Sequence, residues 1–533
     1  MAQKPLKRKA PAIIRFLIAL SVLALFVYAY ISLSLGSNGI LTMLVNAQFS
    51  PSLYGTGLAL PIIAIAIAAT TLIFGRLYCS VLCPLGTAQE IFWRIGRLLR
   101  GGKSPPRSSP EYGSSATPFT GGAAPRNAPR LFRSGYHAPP KVRYLSALLV
   151  AAGVIFSIAP LMILIDPISI FGRGMGTLRT LLYQGGGSTL FMLYLAIPLL
   201  LILIAAVLRG RAFCEWCPVG VTLGLFSSAA LFRIKLGEKC VSCGQCEKKC
   251  PASCIDSKAK RIDSERCVLC FSCTAACPSG SAVYGARGKA LISEAPISEG
   301  RRIFLKKAGS FSLACGAAYL VSPLLRLPSQ SVDKALANLS TEETLPILPP
   351  GAKNLLHYTR HCISCHACVA SCPANIITAK DDPHPSLDYN GDASAACQFS
   401  CTECGRVCPT GAIGKLSVEE KHKMRIALST LYFDRCVVKT KGESCGACAE
   451  VCPTGALTMV AYSEAGIAFL TRPIYDEKYC IGCGACLASC PAEPRAFTIE
   501  AVPQQSLTVG SRPLEEAGDE LNVDMDNSGD FPF

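Results

Sequence analysis

The chain has 533 residues, of which 50% are hydrophobic and 30 are cysteine, and its formal net charge is +16. This length exceeds a single domain, and a mean hydropathy of +0.37 points to a membrane protein. The basic residues lie beside apolar runs, which favours orientation in a bilayer over nucleic-acid binding, and the repeated cysteine spacings favour metal ligation over disulfides.

The first predicted elements are two membrane spans. Residues 1–15 are basic, and the apolar run 16–35 is longer than the core of a signal peptide, so it predicts a retained helix with its N-terminus inside. The segment 36–54 lacks Lys and Arg, as an outside loop should. Residues 56–75 form the second predicted span.

A cysteine motif follows the second span. Cys79 and Cys83 lie in the pattern Gly-Arg-x-Tyr-Cys-x3-Cys-Pro-Leu-Gly. Apolar residues and arginines then mix through 87–100, which is typical of a basic amphipathic helix on the membrane surface. Residues 101–142 are rich in Gly, Ser, Pro and Arg and predict a flexible cytoplasmic loop.

The same pattern then recurs. The predicted spans 144–165 and 189–208 are joined by a loop and are followed by Cys214 and Cys217 in Gly-Arg-x-Phe-Cys-x2-Cys-Pro-Val-Gly. Parallel repeats are related by an axis along the membrane normal. Both cysteine pairs are therefore expected on the cytoplasmic face. Structural thiols and a thiol–disulfide redox pair are the alternatives, but the repeat favours a shared metal or cluster site.

Residues 236–290 contain two copies of C-x2-C-x2-C-x3-C-P. Three closely spaced thiolates bind one cubane, and the fourth cysteine normally ligates the neighbouring cluster. Zinc is the alternative, but it usually takes two separated pairs of ligands. The motifs predict one [4Fe–4S] cluster on Cys240, Cys243, Cys246 and Cys277, and another on Cys250, Cys267, Cys270 and Cys273.

Residues 355–502 contain four further motifs, of which the middle two differ only in the first gap. Residues 362–366 also match the C-x-x-C-H of c-type haem attachment, but the ferredoxin motif accounts for the same cysteines. Cys254 and Cys315 are left without a ligand role. The motifs predict four more clusters, six in all, on Cys362, Cys365, Cys368, Cys372, Cys397, Cys401, Cys404, Cys408, Cys436, Cys445, Cys448, Cys452, Cys480, Cys483, Cys486 and Cys490.

A basic stretch lies between the two cysteine-rich segments. Arg301 and Arg302, followed by the uncharged run 308–325, are typical of a twin-arginine export signal. Such a signal carries folded cargo, which suits clusters that are assembled before they meet an oxidising compartment. We expect a fifth span that is either retained or cut, for example after Ala337. The alternative is that 308–325 does not span and the whole chain stays in the cytoplasm.

The two halves of the chain resemble two families. The membrane-side cysteine motifs with the following ferredoxin pair resemble the NapH-type polyferredoxins, which are quinol dehydrogenase components, and related motifs occur in NosR and FixG. The Arg301-Arg302-x-Phe304-Leu305-Lys306 signal, Pro349-Pro350-Gly351-Ala352 and the four late motifs resemble the exported NapG and MauM ferredoxins. The whole is similar to a NapH–NapG fusion. By this resemblance the outer two late motifs pair together, and so do the inner two.

The resemblance implies electron transfer from quinol, or from cytoplasmic donors, to a periplasmic reductase, with a quinone as a further cofactor. No histidine lies in a predicted span, so we predict no haem pathway across the membrane. Asp166, at the outer end of the third span, is a candidate for the quinol site, although Asp-Pro is also an ordinary helix-end pair and that interpretation is favoured. The second hypothesis is a redox regulator or metallocentre-assembly factor similar to NosR or FixG.

The predicted fold is an α-helical membrane domain of four spans plus a fifth, with two small α+β bacterial-ferredoxin-like domains. We expect the bacterial inner membrane, with the N-terminus and first ferredoxin in the cytoplasm and the second ferredoxin in the periplasm. The expected partners are membrane lipid, the quinol pool and a terminal reductase or cytochrome. The predicted segments are 1–100, 101–142, 143–235, 236–290, 291–327 with the signal, the linker 328–354, 355–502, and an acidic disordered tail, 503–533.

Overall fold

The computed structural model describes residues 5–32, 35–54, 59–99, 143–146, 165–183, 189–286, 345–379, 383–389, 396–462 and 470–512. It contains two compact units. The first comprises residues 1–31, 43–178 and 189–326, and the second comprises 32–42, 179–188 and 327–533. The segment predicted as a flexible loop, most of the predicted third span, Arg301 and Arg302, the predicted fifth span and Cys315 lie outside the described residues.

Before residue 230, most of the described residues lie in apolar helices. Lys9–Ile31 is, in that part of the chain, the one helix long and apolar enough to cross a membrane, while Ile62–Phe74, Ala196–Arg209 and Pro218–Ser228 are shorter apolar helices. The helices are α1 (Pro5–Ile31), α2 (Leu35–Asn46), α3 (Phe49–Tyr54), α4 (Ala59–Phe74), α5 (Tyr78–Val81), α6 (Pro84–Leu99), α7 (Pro167–Tyr183), α8 (Thr189–Arg209), α9 (Ala212–Trp216) and α10 (Pro218–Ser228).

The segment 36–54, predicted to be an outside loop, forms the helices α2 and α3. The hydroxyl of Tyr78 donates to Gln48 Oε1 at 2.7 Å and accepts from the Phe49 N–H at 3.1 Å. Leu41 and Val45 are fully buried. The absence of charge, which indicated an outside loop, is equally typical of a helix that buries its apolar residues.

The segment predicted to connect the third and fourth spans also contains a helix, α7. Asp166 precedes this helix, and its carboxylate accepts hydrogen bonds from the N–H groups of Ile168 and Ser169, each at 3.0 Å. These are the bonds of a helix N-cap, which satisfy donors that have no partner within the helix. Asp166 therefore has a structural role that accounts for its burial.

A small α+β domain completes the first unit. Strand β1 (Phe232–Leu236) pairs antiparallel with β4 (Ala282–Ala286) and so joins the two ends of the domain. The ferredoxin domain therefore begins at Phe232 and not at residue 236, where the sequence predicted its start. Ile234 and Leu236 of this first strand are buried in the core of the domain. Between the strands lie α11 (Gln245–Lys248), the hairpin β2 (Ile255–Asp256) and β3 (Arg261–Ile262), and α12 (Ser272–Ala276).

The second unit repeats this plan of short helices and two-stranded sheets. The pairs among the described residues are β5–β6, β7–β10 and β8–β9. The predicted start of the disordered tail at Pro503 is wrong, because 503–507 belong to β10, where Pro503 fits a register shift between Ala501 and Ser506. The elements are α13 (Leu355–His361), α14 (Ala367–Ser371), β5 (Ile377–Thr378), β6 (Ser386–Leu387), α15 (Glu403–Val407), α16 (Val418–His422), β7 (Met424–Leu431), α17 (Val437–Lys441), α18 (Ala447–Glu450), β8 (Leu457–Tyr462), β9 (Leu470–Tyr475), α19 (Ala485–Ala488) and β10 (Phe497–Leu507), with 3-10 turns at Phe433–Arg435 and Glu477–Tyr479.

Candidate iron–sulfur sites

The cysteine loops with regular spacing share one backbone conformation. In each, the two residues beside the second cysteine have positive φ, which costs a residue other than glycine about 1–3 kcal/mol. Alternation of right- and left-handed residues turns successive N–H groups inward, as in nests that bind anions and iron–sulfur clusters. The Ser364 N–H lies 3.4 Å from Cys362 Sγ. The left-handed residues are Ser242, Gly244, Leu269, Phe271, Ser364, His366, Gly482 and Gly484.

The first ferredoxin domain groups its cysteines as the sequence predicts. Burial, together with the neighbouring thiols of Cys240 and Cys277, raises the pKa of Cys246 to about 11. Burial and the neighbouring Cys250 likewise raise the pKa of Cys270 to about 11. The last cysteine of each motif thus lies beside the other motif, although ligation itself remains a prediction. Cys254, predicted to have no ligand role, is buried with its Sγ 3.5 Å from that of Cys250.

The pairing of the four late motifs differs from the one that the resemblance implied. Cys408, the last cysteine of the second late motif, lies beside Cys362 of the first, where burial and the Cys408 charge raise the pKa of Cys362 to about 12. Conversely, burial and the thiols of Cys397 and Cys372 raise the pKa of Cys404. The first and second late motifs therefore exchange their last cysteines.

The third and fourth late motifs pair in the same way. Cys436 lies beside Cys445 and Cys490, and Cys486 lies beside Cys480 and Cys452. The hairpins explain this pairing. The strand pairs β5–β6 and β8–β9 each connect consecutive motifs, as β2–β3 does in the first unit. Outer-with-outer pairing is thus wrong for this chain.

The two pairs of late motifs meet through backbone and aromatic contacts. The Cys397 N–H donates to Cys483 O at 2.8 Å, and the hydroxyl of the buried Tyr389 donates to Gly482 O at 3.0 Å. Beside them, the Nζ of Lys421 lies 3.2 Å from Cys397 Sγ, and this lysine is 1% exposed. A buried charge therefore accompanies the contact between the pairs.

The four membrane-side cysteines come together, as the repeat predicted. Cys79, Cys83, Cys214 and Cys217 line one cavity with about 290 Å³ of empty space, bounded by the start of α6, α9 and the start of α10. Burial raises the pKa of Cys83, Cys214 and Cys217, with Arg211 opposing this for Cys214. Because their pKa is raised, these buried thiols lose their protons readily only when a metal ion binds to the sulfur in place of the proton.

The two arginines of the repeat flank these thiols symmetrically. Arg76 Nη2 lies 3.6 Å from Cys79 Sγ, and Arg211 Nη1 donates to Cys79 O at 2.7 Å and also bonds Cys214. Among the described residues, the Nε atoms of both buried arginines have no partner. Two cations, each with one donor that has no partner among the described residues, thus lie beside a set of potential thiolates.

The glycines of the repeat allow the two motifs to pack across each other. A Cβ on Gly86 would lie 2.6 Å from Cys79 O, and one on Gly220 would lie 2.8 Å from Cys214 O. Each would also crowd the arginine of the other motif, at 3.2 Å from Arg211 Nη1 and 2.7 Å from Arg76 Nη2 respectively. The repeated Cys-Pro-x-Gly therefore encodes a two-fold contact around the cavity.

A buried carboxylate holds the arginine framework. Glu90, which is 1% exposed, accepts from Arg15 at 2.6 Å and from Arg211 at 2.8 Å, and it also pairs with Arg94. Burial raises the pKa of Glu90, but the Arg211 charge and the bonds from both buried arginines outweigh it and lower the pKa to about 2. Because the pKa is lowered, this network stabilises the fold fully above the ordinary value of 4.5, and that stabilisation is lost as the pH falls toward 2.

The cavity adjoins the first ferredoxin domain. Cys79, Cys83, Cys217, Val268 and Cys270 belong to one buried core. Arg76 Nη1 donates to Glu265 O at 2.6 Å, and the Arg211 N–H donates to Pro251 O at 2.9 Å. Each repeat arginine therefore anchors one side of the ferredoxin domain.

The residues present fit iron–sulfur clusters. Thiols in apolar walls, inward N–H groups and nearby guanidinium groups are the donor set that stabilises anionic clusters. Within the described ranges, no three His, Cys, Asp or Glu side chains converge as a site for a single metal ion. The sequence reasoning missed Arg76 and Arg211, although the repeat signalled them. It also missed Glu90, Tyr389 and Lys421, for which no local motif existed.

Comparisons with known proteins agree with this geometry. Models described as a 4Fe-4S binding domain match residues 56–103 and 191–238, which hold the membrane-side cysteines, and residues 237–253 and 264–285. Models described as a 4Fe-4S dicluster domain match residues 361–413, 442–493 and 472–526. The first two dicluster matches join the same motifs that pair in the structure.

Three relatives are ferredoxin-type or electron transport proteins. The methylamine utilization ferredoxin-type protein MauM of Methylophilus methylotrophus is 31% identical over 159 residues, which are 28% of this chain and 69% of MauM. The chain belongs to the ferredoxin-type iron–sulfur proteins. The ferredoxin-type protein NapF of Escherichia coli strain K12 is 28% identical over 29% of this chain and 84% of its own. The putative electron transport protein YccM of the same strain is 27% identical over 39% of this chain and 49% of its own.

No solved structure matches the chain. The prediction of ferredoxin-type [4Fe–4S] domains is confirmed, as is the resemblance to MauM. As an iron–sulfur protein of this type, the chain serves electron transfer and requires a redox partner.

Proposed function

We propose that the chain is a membrane-anchored electron carrier that accepts electrons from quinol, or from a cytoplasmic donor, and passes them to a periplasmic reductase. The observation that carries the proposal is the meeting of both repeats in one four-thiol cavity that shares a core with Cys270. Bound clusters supply one-electron redox chemistry. The chain would hold six clusters on the 24 ferredoxin cysteines and a further one on Cys79, Cys83, Cys214 and Cys217.

The proposed location is the inner membrane of a bacterium, with the first ferredoxin domain in the cytoplasm and the second in the periplasm. The length and hydropathy of α1 support one span, and α4 and α8 stand at the second and fourth predicted spans. Residues 32–42 and 179–188 belong to the same unit as the late motifs, and Arg179 donates to Asn375 Oδ1 at 2.9 Å. This grouping supports an arrangement similar to a NapH–NapG fusion.

The proposal is tested by removing the shared cavity's thiols. We expect the double variant Cys79→Ser, Cys214→Ser, purified without oxygen, to lose about four irons per chain. We also expect quinol-driven reduction of the remaining clusters in membranes to slow more than tenfold. The matched control is Cys254→Ser, which removes a buried thiol that is outside the predicted ligand sets. We expect this variant to keep the iron content of the wild type.

Two outcomes would contradict the proposal. Unchanged iron in the double variant would mean that the four thiols hold no cluster. The second outcome concerns the wild type. If its clusters are complete and can be reduced chemically, but neither quinol nor a cytoplasmic donor reduces them, the result would support a regulator or assembly factor similar to NosR or FixG. Iron analysis and electron paramagnetic resonance distinguish these results.

A further inference from the structure

A groove with about 900 Å³ of empty space lies in the first unit, between α1, α6 and α12. Its apolar wall includes Ile13, Phe16 and Leu17 of α1 and Trp93 of α6, and its floor includes Ala275 of the ferredoxin domain. Ile13 is 53% exposed and Leu17 is 56% exposed. The apolar wall of the groove therefore continues onto the exposed face of α1.

Four cationic side chains also line the groove. They are Lys9 of α1, Arg94 and Arg97 of α6, and Lys249 of the ferredoxin domain. The Arg94 guanidinium lies 3.9 Å from the centre of the Phe16 ring, and that of Arg97 lies 4.9 Å from the Trp93 ring. The aromatic rings hold these two cations along the groove.

The described residues that line the groove include no Asp or Glu. Glu90 pairs with Arg94, but it is shared with the buried Arg15 and Arg211. A ligand for the groove must therefore combine an anionic group with an apolar body. The groove's position at the cytoplasmic end of the proposed span α1 gives it the chemistry of basic pockets that hold anionic lipid headgroups.

We propose that this groove binds an anionic phospholipid, with its phosphate among Lys9, Arg97 and Lys249 and its acyl chains along Ile13 and Leu17. This site rests on the proposed membrane placement of α1. A quinol at this position is disfavoured because its oxidation releases protons, and the described residues of the lining include no Asp, Glu or His to accept them. The lipid would join α1 and α6 to the helix that carries Cys273.

The test uses the full-length chain, stripped of lipid in detergent and then offered phosphatidylglycerol or phosphatidylcholine, with bound lipid counted by native mass spectrometry. We expect the wild type to retain phosphatidylglycerol in preference. Each cation near a membrane surface contributes about 1 kcal/mol, so the double variant Arg97→Gln, Lys249→Gln should bind phosphatidylglycerol about thirtyfold more weakly.

The control removes an equivalent pair of cations elsewhere. Arg435 and Lys439 of the second unit also lie over aromatic rings, those of Tyr432 and Phe433, so Arg435→Gln, Lys439→Gln should leave lipid binding unchanged. Iron content and helical circular dichroism verify that both variants are folded. Membrane flotation of the wild type separates a failure of anchoring from a failure of this site.

Three results would overturn the assignment. One is equal retention of the two lipids by the wild type, and another is unchanged binding by the groove variant. The third is displacement of phosphatidylglycerol by a short-chain quinol, which would place the quinone in this groove instead.

Discussion

Lys421 places a buried positive charge beside a predicted cluster ligand in the second unit. Lys421 is 1% exposed, and its Nζ lies 3.2 Å from Cys397 Sγ. Reduction of a cluster adds negative charge, so a fixed cation beside a ligand stabilises the reduced form. The contact of Cys397 with Cys483 places this charge where the two pairs of late motifs meet.

We therefore predict that Lys421→Met lowers the reduction potential of one cluster in the second unit by about 60 mV, the equivalent of about 1.4 kcal/mol for one electron. Methionine keeps much of the stem's volume, so iron content should be unchanged. A redox titration followed by electron paramagnetic resonance measures the shift. Lys423→Met, which removes an exposed lysine two residues away, is the control. Equal shifts in both variants would refute a local effect.

At the scale of elements, each regular cysteine loop could be predicted from the sequence, because ligand spacing is local. The pairing of loops could not, since it depends on which hairpins connect them, and the resemblance indicated the wrong partners. The helices α2 and α7 lie in segments that were predicted as loops between spans. The segment of α2 lacks Lys and Arg, which is typical of an outside loop and of a buried helix alike, whereas α7 carries Arg173 and Arg179. The repeat predicted the meeting of four thiols, whereas the role of Glu90 depends on residues 75 and 121 positions away.

The repeat makes the cavity sensitive to one added methyl group. We predict that Gly220→Ala loses the iron of the membrane-side site while the ferredoxin clusters remain, because the new Cβ would lie 2.8 Å from Cys214 O and 2.7 Å from Arg76 Nη2. Gly86→Ala should act alike by the pseudo-two-fold relation. Iron and sulfide analysis measures the loss.

The matched control for this substitution is Gly285→Ala, since a Cβ there would meet no atom within 4 Å. Full iron content in Gly220→Ala, with unchanged spectra, would mean that the cavity does not depend on the close approach of the two motifs. Loss of all clusters in Gly285→Ala would show that the assay reports general misfolding instead.

For the whole molecule, the order of segments matches the order of compartments that we propose. The basic N-terminus and the first ferredoxin precede Arg301 and Arg302, and the late motifs follow them. A folded, cluster-bearing domain can cross a membrane only by a route that accepts folded cargo. We therefore propose that Arg301 and Arg302 belong to the export signal of the late motifs, and the position of this cargo explains why the proposed signal lies within the chain.

The last prediction concerns this route. Arg301→Lys with Arg302→Lys keeps the charge but removes the paired guanidinium groups, so we expect a C-terminal epitope to become inaccessible to protease in spheroplasts. The control Lys306→Arg with Lys307→Arg also keeps the charge and should leave the epitope accessible. If the epitope of the wild type is protected until the inner membrane is opened, the late motifs face the cytoplasm and the proposed topology is wrong. If the arginine variant is as accessible as the wild type, export does not depend on this pair.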